Sequence, residues 1–300
     1  FQQAEEYSDV AIVVFSRLGG ENIGEQPHQQ TQGAVNPDKT YLEITDPEQE
    51  LLDEVTARFD KVIVLLNTSN AMHCGFLDDE YVDAAMYVGL TGQSGAIAIG
   101  EILKGETLDG ESFSPSGKLS DLYSYDPSND PAYNNTESAS SGNSGTNIQY
   151  SEGLYYGYRW YETADAEGYF EAQGITYEDQ VQFPFGFGLS YTTFEWEVMS
   201  IAVGEENVSL GSAIDLTDAN KNTTITLKVL VTNTGDWYGK DVVELYYTPE
   251  YITGEIEKAE VNLLDFDKTV SLEPGQSEEL TLTFTAYDMA SFDATDANNN

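Results

Sequence analysis

Residues 10–27 read VAIVVFSRLGGENIGEQP, an apolar run that stops at a glycine pair. A series of Val, Ile and Phe without polar alternation predicts a β-strand that is buried on both faces. Gly19 and Gly20 allow a sharp turn at the carboxyl end of this strand, which is where open parallel sheets bind ligands. Glu21 is therefore a candidate proton donor or acceptor, and the alternative is a solvated loop carboxylate, since the chain has 53 acidic residues.

The next part of the chain alternates helix and strand. Thr45 and Glu48 have the spacing of a capping box, and an amphipathic helix follows with apolar residues at Leu51, Leu52, Val55 and Phe59. KVIVLL at 61–66 predicts a second buried strand, and its polar loop, residues 67–70, is expected on the same side as Glu21.

A weaker strand at 83–89 and a helix that opens at 92–95 continue the alternation. Strands and helices in this order, with right-handed crossovers, predict an α/β fold. Its mostly parallel sheet is expected to carry helices on both faces.

The second half of the chain has a different period. TTITLKVLVTNTGDWYGKDVVELYY at 223–247 reads as an alternating strand, a turn and another strand, and residues 271–284 repeat the pattern. These short strands predict an antiparallel β-sandwich. Aromatic residues crowd together at 150–161, where they either fill a core or stack on sugar rings.

Charge excludes several classes of function. The chain has 53 Asp and Glu against 12 Lys and Arg, a formal net charge of −41. Such a surface repels phosphate backbones and anionic lipid headgroups, so neither a nucleic acid nor a membrane is expected as a partner. The acidity suits an extracellular or cell-surface protein. Residue 1 already lies in a predicted helix, FQQAEEYSD, so we expect the sequence to be part of a longer chain.

Metal and cofactor sites are not predicted. The chain has one cysteine and two histidines, and it lacks a G-x-G-x-x-G dinucleotide motif. One set of oxygen ligands has the spacing of a calcium loop: Asp126, Ser128, Asp130 and Glu137. Pro131 occupies the position that needs glycine in such a loop, which argues against calcium.

Five blocks in order resemble glycoside hydrolase family three, a family of retaining β-glucosidases. They read AIVVFSRLGGEN, KVIVLLNTSNAM, GQSGAIAIGEILKGE followed by SPSGKLSD, YSEGLYYGYRWYE, and FPFGFGLSYTTFEWE. The resemblance implies that residues 1–189 form the family's α/β sandwich domain and that residues 190–300 form its fibronectin type III-like domain, which we expect to be incomplete in this chain.

The resemblance also implies site residues. Glu21 matches the family's acid/base glutamate, and Glu25 is the fallback because the loop departs from the usual pattern after Glu21. Arg17, Asn67 and Asn70, at the ends of the first two strands, are expected to contact the carbohydrate substrate. No cofactor is implied.

In similar enzymes the nucleophilic aspartate lies in a separate (β/α)8 barrel. The sequence shows no barrel, which we expect after residue 300. A homo-oligomer is left open. Two alternatives to an enzyme remain, a non-catalytic carbohydrate-binding homologue and a structural extracellular component.

Overall fold

The structure is a computed structural model that describes residues 1–17, 36, 38–133, 150–214, 216 and 219–293. The chain forms two compact units. The first comprises Phe1–Ile99, Asp121–Gly153 and Gly174–Pro184, and the second comprises Gly100–Ser120, Leu154–Gln173 and Phe185–Asn300. Segments that precede residue 190 thus belong to the second unit, and the family domain boundary at 189/190 stays a prediction.

The first unit is built around a parallel sheet. Its strands and helices are α1 (Gln2–Glu5), β1 (Val10–Arg17), α2 (Asp46–Thr56), β2 (Lys61–Thr68), β3 (Ala84–Tyr87), the start of α3 (Gly95–Lys104), β4 (Tyr123–Ser124), α5 (Tyr177–Gln180) and β5 (Val181–Phe183). β1, β2 and β3 pair in that order, all parallel. Arg17 lies opposite Thr68, so the carboxyl ends of β1 and β2 meet at one edge. The predicted parallel α/β sheet is confirmed.

Helix α2 begins as its capping sequence predicts. The Thr45 hydroxyl accepts a hydrogen bond from the Glu48 backbone N–H, and the Glu48 carboxylate accepts one from the Thr45 N–H. These two bonds satisfy donors that the first helical turn leaves without partners. α2 packs against β1 and β2, with Leu52 and Val55 buried. Leu51, predicted on the apolar face, is 43% exposed.

The burial of β1 differs from the prediction. Val13, Phe15 and Arg17 are buried, whereas Ile12 and Val14 are 51% and 53% exposed. Side chains alternate between the two faces of a strand, so this pattern means that one face of β1 is covered and the other is open in the described structure. The prediction that β1 is buried on both faces is therefore wrong here. An apolar run specifies a strand, but its burial depends on what packs on each face.

The described residues of the second unit form α4 (Tyr158–Ala166) and six antiparallel strands: β6 (Phe194–Val203), β7 (Glu206–Val208), β8 (Thr224–Asn233), β9 (Val242–Tyr247), β10 (Asn262–Lys268) and β11 (Ser277–Thr285). One sheet has the order β11-β8-β6-β7, and β10 pairs with β9 in another. The two strands predicted on either side of the Asn-Thr-Gly turn, β8 and β9, thus belong to different sheets. Side chains from both sheets form one apolar cluster: Val229, Val231, Val243, Leu272, Leu280 and Leu282.

Two of the blocks that resemble the glycosidase family meet within the second unit. The Leu119 N–H donates to the Phe187 carbonyl, and the Gly186 N–H donates to the Leu119 carbonyl, both at 2.8 Å. The Lys118 ammonium donates to the Gly188 carbonyl at 2.9 Å. SPSGKLS and FPFGFGLS, separated in sequence, therefore run backbone against backbone.

This close approach predicts that Gly188→Ala destabilises the second unit. A Cβ on residue 188 would overlap the backbone carbonyl oxygen of Gly117, and a backbone atom cannot move aside cheaply. We expect the free energy of unfolding to fall by about 1 to 3 kcal/mol, the range for overpacked sites. Denaturant unfolding checks this.

Gly117→Ala is the matched control, because a Cβ there meets open space on the other side of the same contact. We expect a change within about 0.5 kcal/mol. Equal effects from the two substitutions would contradict the proposed overlap.

Cys74 is fully buried in the first unit. Burial raises the pKa of its thiol to about 12, because the thiolate would lose its hydration. The side chain is thus a small apolar core residue at neutral pH and not a nucleophile. Within the described part of the chain, no helix has the length and apolar character that a membrane span requires.

Candidate functional site

The residues predicted to perform acid/base chemistry, Glu21 and Glu25, lie outside the described residues. The structure does describe the strand that leads to them and the neighbouring strand end. The candidate site is therefore built from the carboxyl edge of the parallel sheet, where Arg17 ends β1 and Thr68 ends β2.

Arg17 is 7% exposed and uses every N–H group of its guanidinium. Nη1 and Nη2 each donate to one Glu48 carboxylate oxygen at 2.8 Å, a bidentate ion pair. Nε donates to the Tyr41 carbonyl at 3.0 Å, Nη2 to the Glu43 carbonyl at 2.7 Å, and Nη1 to the Ser16 carbonyl at 2.9 Å. The guanidinium thus joins the end of β1 to residues 41–48 of its own unit.

Glu48 is the centre of this arrangement. Its carboxylate accepts from Arg17, from the Thr45 N–H at 2.7 Å and from the Thr45 hydroxyl at 3.0 Å. Burial alone would raise the pKa of Glu48, but the hydrogen bonds from Arg17 and Thr45 outweigh it and hold the pKa below its ordinary value. Glu48 therefore stays ionised at neutral pH. The sequence indicated its capping role but not its bond to Arg17.

Asn67 and Asn70 also make hydrogen bonds within the first unit. The Asn67 side chain donates to the Gly89 carbonyl and accepts from the Ser16 hydroxyl at 3.4 Å. The Asn70 carbonyl accepts from the Thr68 hydroxyl at 2.6 Å, and its side-chain oxygen accepts from Ser69 at 3.3 Å. Asn67 thereby links the end of β1 to the segment after β3.

The structure brings Arg17 and the Asn67 loop to one edge, as the parallel strands require. The hydrogen bonds given above for Arg17, Asn67 and Asn70 are all made within the first unit. That these three residues bind substrate stays a prediction. Sequence reasoning missed the carbonyls of Tyr41 and Glu43, and no sequence signal marks a backbone acceptor more than 20 residues away from its donor.

The calcium-like spacing has a local explanation. The Asp126 carboxylate accepts from the Ser128 N–H at 2.9 Å, and the Asp130 carboxylate accepts from the Ala132 N–H at 2.8 Å, so both acids stabilise turns. Glu137 lies outside the described residues. Among the residues that are described, no group of three or more metal-binding side chains comes together.

A separate cavity of about 260 Å³ lies in the second unit. Its lining residues are Tyr158, Glu162, Phe185, Gly186, Glu244, Tyr246 and Val261. The Tyr246 hydroxyl donates to the Glu244 carboxylate at 2.6 Å, and the ring of Tyr158 packs against Phe185 at 4.8 Å between centroids. Burial and the Glu244 bond raise the pKa of Tyr246. Rings from the aromatic-rich segment thus pack against other rings of the unit.

Two protein families match parts of this chain. The glycosyl hydrolase family 3 C-terminal domain matches residues 1–158, and the fibronectin type III-like domain matches residues 241–298. A β-glucosidase from Ruminococcus albus is 32% identical over 97% of this chain, which corresponds to 25% of that protein.

Solved structures of β-glucosidases are also similar to this chain. A β-glucosidase from Paenibacillus barengoltzii superposes with a TM-score of 0.75 at 31% identity, over 99% of this chain and 27% of that one. β-Glucosidase 3B from Thermotoga neapolitana gives 0.69 at 29% identity, over 97% and 34%. The chain thus spans between a quarter and about a third of the length of these relatives.

Proposed function

Because this chain belongs to glycosyl hydrolase family 3, we propose that it is part of a retaining β-glycosidase and contributes the general acid/base, Glu21. The proposed reaction is hydrolysis of terminal β-linked sugars, β-glucosides first, since the relatives described above are β-glucosidases. The nucleophile comes from a (β/α)8 barrel elsewhere in the full-length protein. None of the sheets in the described residues is such a barrel.

The observation that carries the proposal is the position of Arg17. It ends β1 at the carboxyl edge of the parallel sheet, beside Thr68 of β2. Glu21 follows Arg17 by four residues, so covalent geometry keeps their Cα atoms within about 14 Å of each other. Open α/β sheets bind ligands at this edge. Within that distance of Arg17, a glutamate can reach a substrate that another domain holds against this edge.

The chemistry needs two carboxyl groups about 5 to 5.5 Å apart across the glycosidic bond. In the first step, the barrel carboxylate attacks the anomeric carbon while Glu21 gives its proton to the departing oxygen. A covalent glycosyl ester and the free alcohol result. In the second step, the Glu21 carboxylate takes a proton from water as the water attacks the anomeric carbon, which releases the sugar and regenerates both groups.

The stereochemistry of the product tests the proposal. We expect the full-length protein to hydrolyse an aryl β-glucoside with the β-anomer of glucose appearing first in proton NMR spectra, before mutarotation produces the α-anomer. Initial release of the α-anomer would show inversion and contradict the two-step mechanism. No hydrolysis at all would favour a non-catalytic homologue.

We also propose an extracellular or cell-surface location. The formal net charge of −41 supports this location. A strongly acidic surface keeps protein molecules soluble and prevents them from associating with one another.

A further inference from the structure

The cluster around Arg17 joins the two ends of one long segment. β1 ends at Arg17, and α2 begins after its N-cap, Thr45. Arg17 at the first end donates to the carbonyls of Tyr41 and Glu43 at the second. Glu21, the proposed acid/base, lies on the segment between them.

We propose that Arg17 and Glu48 are positioning residues for Glu21, and this inference rests on the proposed function. They hold the start and the return of the segment at a fixed separation and orientation. Arg17 itself does not contact the sugar, because all of its N–H groups are already used. This role differs from the direct substrate contact that the sequence predicts for Arg17.

The cluster is suited to fixing geometry. A bidentate pair between a guanidinium and a carboxylate sets direction as well as distance, which a single-point ion pair does not. The side chains of Arg17 and Glu48 are 6% and 24% exposed, so water screens the pair only weakly. The Thr45 N–H and hydroxyl then attach the carboxylate to the N-terminus of α2.

Loss of the cluster acts on both ends together. Without it, only the covalent connections through β1 and α2 hold the two ends of the segment, and nothing else offsets the entropy cost of keeping those ends together. A proton donor is effective only in a narrow range of positions, and a displacement of about 1 Å can lower a rate roughly 100-fold. The consequence should appear in the step that needs a proton.

The test uses Arg17→Met and Glu48→Gln in the full-length protein. For each variant, kcat/KM is measured with an alkyl β-glucoside, whose departing oxygen needs a proton, and with a dinitrophenyl β-glucoside, whose leaving group does not. We expect kcat/KM to fall roughly 10- to 100-fold for the alkyl substrate and only a few-fold for the dinitrophenyl substrate. Thermal unfolding is measured alongside.

The matched control is Arg58→Met in the same unit. Arg58 pairs with Glu54 at 2.6 Å, but both side chains are exposed, and neither joins the ends of the segment. Exposed pairs contribute little to stability. We expect no change in either kcat/KM.

The double variant Arg17→Met/Glu48→Gln separates positioning from stability. Each single change leaves a buried or partly buried charged group without its ionic partner, whereas the double change removes both. We expect the thermal stability of the double variant to recover towards wild type while kcat/KM for the alkyl substrate stays low. Recovery of both together would mean that the pair is merely structural and would overturn the inference.

Equal losses for the two substrates in the single variants would overturn it as well. If Glu21→Gln selectively removes activity on the alkyl substrate but Arg17→Met does not, the inference fails and the proposed function stands. If Glu21→Gln has no effect, the assignment of the general acid/base to Glu21 fails, and the inference fails with it.

Discussion

Glu21→Gln in the full-length protein is expected to lower kcat/KM for alkyl β-glucosides roughly 10²- to 10⁴-fold, the usual contribution of a general acid. Glutamine keeps the size of the side chain but cannot give a proton to the departing oxygen. A dinitrophenyl glucoside leaves without that proton, so its kcat/KM should change little. Hydrolysis of the glycosyl ester also loses its base, and the ester should accumulate with this activated substrate.

Azide provides the second measurement on the same variant. As a small anion it attacks the anomeric carbon without needing a base, and it releases glycosyl azide together with the free carboxylate nucleophile. We expect azide to restore turnover of the dinitrophenyl glucoside by Glu21→Gln and to leave the wild type nearly unchanged.

Glu25→Gln is the control, since it makes the same chemical change four residues further along the same segment. Its kinetics should resemble the wild type. If Glu25→Gln shows the selective loss and Glu21→Gln does not, the acid/base assignment moves to Glu25. Unchanged kinetics in both variants would remove the segment from the mechanism.

Asn233→Ala is expected to lower the free energy of unfolding of the second unit by about 3 kcal/mol or more. Asn233 is fully buried at the end of β8. Its amide nitrogen donates to the Trp237 and Leu272 carbonyls at 2.7 and 2.9 Å, and its amide oxygen accepts from the Thr192 hydroxyl at 2.7 Å and the Gly235 N–H at 3.1 Å. Removal of the amide leaves several buried polar groups without a hydrogen-bond partner, and each such group lowers the free energy of unfolding by about 1 to 3 kcal/mol.

Tryptophan fluorescence during denaturant unfolding of the 300-residue chain measures this effect. All three tryptophans, Trp160, Trp196 and Trp237, belong to the second unit, so the signal reports that unit. Asn207→Ala in the exposed strand β7 is the control and should change stability by less than about 0.5 kcal/mol. A loss of under 1 kcal/mol for Asn233→Ala would show that water replaces the lost bonds.

Elements whose signals lie within a few residues were predictable. The capping box of α2 needs only Thr45 and Glu48, and the structure contains both of its hydrogen bonds. The second strand, predicted from KVIVLL at 61–66, is present as β2. The helix expected after 92–95 is present as α3. Each depends on local backbone geometry and side-chain periodicity, which the order of residues carries directly.

Pairing between distant segments was less predictable. Alternating residues on either side of Asn-Thr-Gly correctly predict β8 and β9, but those strands join different sheets. The apolar run of β1 correctly predicts a strand, but not its one open face. In both cases the missing information is which other element lies alongside, and periodicity does not contain it.

The sequence by itself determined β1, β2, α2 and α3, the parallel α/β class and, through its ordered blocks, the glycosidase family. Only the tertiary structure decided that the Arg17 guanidinium binds Glu48 and two backbone carbonyls more than 20 residues away. It also decided that four hydrogen-bonding groups contact the Asn233 side chain. The physical reason is that a buried polar group needs hydrogen-bond partners, and the fold can supply them from any part of the chain. Those partners are set by the path of the whole chain and not by neighbours in sequence.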